Sequence, residues 1–283
     1  MLTCLADHHN TPREVEMDTT RLAGRKALIT GGAQGMGAAI AKHWAAQGAE
    51  ICVADINEEG IAAVAQEIRD AGGTATHFKL DVTNEEQAEA AVAHVVKEFG
   101  EINLLLNNAG VNKPTMFPDT PKDNYDFIMN VNAWGKFNVM RAVSKQMIAQ
   151  GKRDYPYKII NVGSIASRMS FDDIIPYSMA KHAVLALIRG GAKALAPHGI
   201  TVNGYGPGVV RTEMWEQLDK DLVEIGKFEQ PGQSMDSLAA NMIELKRYSY
   251  PDDIIGTASY LASQESDYMT GQLIMIDGGM VYQ

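Results

Sequence analysis

The chain has 283 residues, enough for one α/β domain with a large core. Hydrophobic residues make up 46% of it and the net charge is −10, with no basic run of the kind that attracts nucleic acid or anionic lipid, which argues against polyanionic partners. Its two cysteines, Cys4 in a polar tail and Cys52 in a predicted buried strand, do not suggest a disulfide, and a reducing, cytoplasmic compartment fits.

Residues 1–21 read as a mobile tail, with no apolar run long enough for a signal peptide, and no later stretch reads as a membrane span. Adjacent His8 and His9 lack a Cys or carboxylate at ligand spacing, so no metal site is expected. From Arg25 onward strand and helix patterns alternate. Strands are expected at 27–30, 51–54, 74–80, 102–106, 158–162, 201–204 and 272–276. Between them, helices are expected at 35–47, 58–71, 85–99, 122–150, 176–196 and 251–261. This order predicts a single-domain, Rossmann-like, doubly wound parallel sheet of about seven strands spanning 22–283, with ligands beyond the carboxyl ends of the strands.

The first strand-to-helix junction reads Thr30-Gly31-Gly32-Ala33-Gln34-Gly35-Met36-Gly37. Glycines permit a sharp turn and close approach to a pyrophosphate, which the helix amino terminus then holds. The spacing, with glycines at 31, 35 and 37, departs from the commonest G-x-G-x-x-G pattern. Asp55 ends the second strand, where a carboxylate accepts hydrogen bonds from ribose hydroxyls or caps the following helix. No Arg or Lys lies between Gly31 and Gly37 or within 56–60 to compensate a 2′-phosphate, which favours NAD over NADP. Asp81-Val82, after the third strand, is placed to reach the adenine.

In the helix at 176–196, Tyr177 and Lys181 are i and i+4, so phenol and ammonium share one face. A nearby ammonium is expected to lower the phenol's value from about 10 and ready it to exchange a proton with an alcohol. Ser164 lies thirteen residues earlier.

Together, TGGAQGMG, Asp81-Val82, Asn107-Asn108-Ala109-Gly110, Asn132, Ser164, Tyr177-x-x-x-Lys181, Pro207-Gly208 and Asp277-Gly278-Gly279 resemble the short-chain dehydrogenases/reductases over residues 22–283. The resemblance implies Tyr177 as acid/base, Lys181 as the group that lowers its pKa and binds the nicotinamide ribose, and Ser164 as the donor orienting the substrate oxygen. It implies Asn132, in Val131 to Gly135, as a member of a proton relay, and an asparagine beside Gly135 suggests a local helix distortion. Asn107 to Gly110 reads as mostly structural, with Asn108 the expected cofactor contact. Val210 and Thr212 would meet the nicotinamide carboxamide, and 213–250 reads as a substrate lid or, failing that, an insertion for subunit contacts.

ITVNGYGPGVVRTEMW and LASQESDYMTGQLIMIDGGMVYQ are especially similar to the acetoin reductase/2,3-butanediol dehydrogenase branch, with sugar-alcohol dehydrogenases sharing most of the pattern. Arg168, Asp172 and Asp173 add polarity suited to a polyhydroxylated substrate, unless they face solvent. The expectation is an NAD-dependent enzyme acting on a small diol, hydroxyketone or polyol, in a homotetramer implied by the resemblance. The alternatives are a reductase of a bulky cyclic ketone, which would need a largely apolar lid, and a non-catalytic dinucleotide-binding protein.

Overall fold

The computed structural model describes residues 19–282, so His8, His9, Cys4 and most of the expected tail lie outside the described residues. Residues 19–21 already belong to the folded body: Arg21 pairs with Glu265 at 2.8 Å, and Leu22 beside it is fully buried.

Seven parallel strands form one sheet: β1 (Lys26–Thr30), β2 (Glu50–Asp55), β3 (Thr74–Lys79), β4 (Leu104–Asn107), β5 (Tyr157–Val162), β6 (Ile200–Pro207) and β7 (Leu273–Ile276), in the order β3-β2-β1-β4-β5-β6-β7. Alternate side chains of each strand point to opposite faces. Ile29, Val53, Leu106 and Ile160 pack with Trp44, Ile61 and Ile254 from helices α1 (Gly35–Ala46), α2 (Glu58–Asp70) and α9 (Pro251–Ala262). Leu28, Cys52, Leu105 and Ile159 pack on the other face, with α3 (Glu85–Phe99) and α5 (Lys136–Ala149). Cys52 is a free thiol whose pKa is pushed up to about 12, chiefly by burial.

The expected helix at 122–150 is interrupted. α4 (Lys122–Met129) passes into a wide π-helical turn over Asn130–Gly135 before α5 continues, which is the distortion suggested by Asn132 beside Gly135. Gly135 is forced here by packing, because a Cβ on it would lie 2.6 Å from Val82. Helix α6 (Ile175–Leu195) follows β5, and the 213–250 excursion contains α7 (Glu213–Glu224) and α8 (Gln233–Asn241). Among the described residues, no helix is long and apolar enough to cross a membrane.

Topology places the site. The chain reverses direction across the sheet between β1 and β4, paired Thr30 to Asn107, and a crevice opens where the loops leave such neighbours in opposite senses.

Candidate active site

A cavity of about 680 Å³ occupies that crevice, lined by the segments following β1, β2, β4, β5 and β6. At its floor Gly31 and Gly35 take positive φ values of 67° and 54°, in the left-handed region that favours glycine. Gly37 is required sterically, since a Cβ there would stand 2.1 Å from the Gly31 carbonyl oxygen. No acidic side chain occupies the first turn of α1, so the positive end of the helix is suited to receive an anion. Gln34 and Met36 also line the cavity.

Asp55 faces the same space, accepting from the Asn57 and Ala33 N–H groups at 3.1 and 3.4 Å. The helix cap belongs to Asn57, whose side chain accepts from Gly60 N–H, so the capping role considered for Asp55 is corrected. Asn108 lines the cavity while its amide donates to the Gly31 carbonyl at 2.9 Å, holding the glycine turn against β4. Asn107 is structural: its amide bridges Asn161 Oδ1 at 3.0 Å and the Lys136 carbonyl at 2.8 Å. Pro207, Gly208, Val210 and Thr212 line the far side. Asp81 and Val82 are not among the lining residues; Asp81 accepts from Thr83, and Val82 is buried under Gly135.

Ser164, Tyr177 and Lys181 converge on the cavity. Ser164 starts a tight turn in which its Oγ accepts from Ala166 N–H at 3.1 Å while its own N–H donates to Ser167 Oγ at 3.2 Å, fixing the hydroxyl. Lys181 donates to the Val162 carbonyl at 3.0 Å and lies 5.3 Å from the Tyr177 ring centroid. Asn132 is fully buried behind them, accepting from Val111 N–H at 3.1 Å and donating to the Val111 and Ile128 carbonyls at 2.8 and 3.1 Å. It ties the π turn to the loop that leaves β4.

The expected lowering of the Tyr177 pKa is not found in the protein alone. Burial raises it to about 12, and the Ser164 hydroxyl offsets only part of this; Lys181 is itself lowered to about 7 by burial. Neither shift carries an effect of the other group; taking each out of water disfavours its charged form, which raises the phenol and lowers the amine.

Several residues escaped the sequence reading. Lys136 is almost completely buried and donates to the Asn107 carbonyl at 2.6 Å. Burial, reinforced by the like charge of Lys181, holds it well below the usual lysine value. Its signal was present, since a lysine stands on the apolar stripe of Met140, Val143 and Met147. Lys227 pairs with Asp172 at 2.7 Å and Asp173 at 2.9 Å, and all three line the cavity, whereas Arg168 does not. Nothing local in the sequence connects residues so far apart.

The model of the family described as enoyl-(acyl carrier protein) reductase matches residues 31–281. Diacetyl reductase [(S)-acetoin forming] of Staphylococcus epidermidis is 38% identical over 92% of this chain and 99% of its own length. The chain belongs to the short-chain dehydrogenase/reductase family. Galactitol 2-dehydrogenase of Agrobacterium fabrum is 37% identical, over 92% of this chain and 98% of its own length. Among solved structures, a short-chain dehydrogenase/reductase of Mycobacterium marinum superposes with a TM-score of 0.84 at 32% identity, covering 94% of this chain and 99% of its own. As a member of that family, the chain is an oxidoreductase that works with a nicotinamide dinucleotide.

Proposed function

We propose that the chain transfers hydride between NAD and a secondary alcohol, a small diol, hydroxyketone or polyol, with Tyr177, Ser164, Lys181 and Asn132 as its working residues. The observation that carries this reading is the convergence of Ser164, Tyr177 and Lys181 on the cavity that also holds the glycine turn and Asp55. These residues fit the dinucleotide: a close-approach turn and helix terminus for the pyrophosphate, and the Asp55 carboxylate for the ribose. A bound nicotinamide supplies the hydride acceptor or donor.

The chain's own groups handle the proton. In reduction the Tyr177 phenol, protonated in the free protein, donates its proton to the carbonyl oxygen as hydride reaches the carbon; in oxidation the phenol first releases its own proton to water, and its oxygen then takes the hydroxyl proton as hydride leaves the carbinol carbon. Ser164 Oγ, fixed by its turn, holds the substrate oxygen. Lys181 in its protonated form brings positive charge that favours the phenolate. Asn132 positions the Val111 backbone and the π turn behind this pair. The segments of α7 and α8 cover the cavity as a lid. Exposed Phe127, Phe137 and Met179 on α4, α5 and α6 support assembly into a homotetramer through those helices.

A second reading has its own support, because the lid side of the cavity is mostly apolar, with Trp215, Leu218, Leu222, Phe228, Leu238 and Met242. That wall suits a bulky cyclic ketone. A cofactor-linked absorbance screen with NAD and NADP over diols, polyols, hydroxyketones and cyclic alcohols tests both. Highest catalytic efficiency on a diol or polyol with NAD is expected, and turnover confined to cyclic substrates would reject the first reading.

A further inference from the structure

The lid side of the cavity is largely apolar, and its Ser234 is satisfied. Ser234 accepts from Trp215 Nε1 at 3.3 Å and donates to Asp219. Asn112 differs: it lines the cavity, and its Oδ1 is buried without a hydrogen-bond partner among the described residues. A buried acceptor of this kind is costly unless whatever binds beside it brings a donor.

Its loop is tied to two other segments of the cavity wall. Asn112 stands on the loop leaving β4, and three residues on, Thr115 N–H donates to the Asp173 carbonyl at 2.8 Å. That bond ties the Asn112 loop to the segment between Ser164 and Tyr177. Asp173 in turn uses its Oδ2 on Lys227, which comes from the connection between α7 and α8 and also engages Asp172. Burial works against the Lys227 charge, but the two carboxylates outweigh it and hold the ammonium protonated above its usual range. A cation held by carboxylates and an orphaned acceptor thus line one cavity, on loops joined by the Thr115–Asp173 bond.

We propose that Asn112 Oδ1 and the Lys227–Asp173 pair form a subsite for a second substrate oxygen, next to the carbon whose oxygen Ser164 and Tyr177 hold. A neighbouring hydroxyl donates to Asn112 Oδ1, and its oxygen, or the carbonyl oxygen of a hydroxyketone or diketone, accepts from the Lys227 ammonium. The inference rests on the diol or polyol reading above and names the groups that make it specific. A monoalcohol leaves the Asn112 acceptor unpaired, whereas a vicinal diol satisfies it.

The test is the ratio of kcat/KM for 2,3-butanediol to that for 2-butanol, measured on the full chain with its dinucleotide. The unmodified protein should favour the diol at least about tenfold, the factor that corresponds to about 1.4 kcal/mol. Asn112→Leu keeps volume and removes the acceptor, and should bring the ratio down about tenfold, chiefly through KM for the diol. Lys227→Met, at a partly exposed position, should lower the same ratio and serves if Asn112→Leu does not fold. A ratio retained in both variants overturns the subsite while leaving the diol reading intact. A loss that appears in dinucleotide affinity, read by fluorescence titration, also overturns it and gives the Asn112 oxygen to the cofactor. A ratio near one in the unmodified protein overturns the diol reading itself, and the subsite with it.

Discussion

Lys136 provides a test of the electrostatics behind the active site. It is 1% exposed, no carboxylate pairs with it among the described residues, and its Nζ donates to the Asn107 carbonyl at 2.6 Å. Burial first, and then the like charge of Lys181, keep the folded amine neutral to well below the usual lysine value. In the unfolded chain the same amine is protonated up to about pH 10.4. Between the folded and the unfolded value, the unfolded state therefore binds one more proton. Stability is lost as pH falls through that window, by up to about 1.4 kcal/mol per pH unit, and the loss is complete below the folded value.

Substituting Lys136→Met keeps an unbranched apolar chain in the same space and removes the titration. It also takes a donor from the Asn107 carbonyl, at a cost of about 1–3 kcal/mol. The two effects have different pH dependence. At pH 10 the variant should be no more stable than the wild type, and on going down to pH 7.5 its relative stability should rise by up to about 1.4 kcal/mol per unit. Lys181 titrates in both proteins, so the difference belongs to Lys136 and its coupling to Lys181. Urea unfolding of the protein without dinucleotide at half-unit steps measures it. A stability difference that stays constant across the range would refute a neutral buried amine.

Tyr177→Phe removes the phenol oxygen and keeps the ring, so turnover should fall by roughly 10²–10⁴ while dinucleotide binding persists; steady-state kinetics with fluorescence titration check it, and near-wild-type turnover would sink the role. Asp55→Ala should weaken NAD selectivity, and a nearby arginine added to it should favour NADP; an unmodified protein that already prefers NADP would show the second strand to be misread. Light scattering should give the mass of a tetramer, and a monomer at working concentration would leave the exposed faces of α4 to α6 unexplained.

Local pattern carried most of this molecule. Alternating strand and helix periodicity set the architecture, because each element must bury one apolar face or stripe against its neighbours. The glycine turn, Asp55 and the Tyr177–Lys181 spacing were legible because each depends on residues close in sequence: a backbone that needs positive φ at Gly31 and Gly35, a strand end, and one helical turn. Even the distortion at Asn132 was marked by the glycine three residues on. Tertiary structure decided what depends on distance and solvent. It turned the expected lowering of the Tyr177 pKa into a rise, because desolvation is set by everything packed around the phenol and not by its partner one turn away. Asn112 became an orphaned acceptor, Lys227 a partner of Asp172 and Asp173, and Lys136 a neutral neighbour of Lys181 only once separate loops and helices closed on one crevice. No periodicity records such meetings, since they join residues whose separation along the chain says nothing of their separation in space.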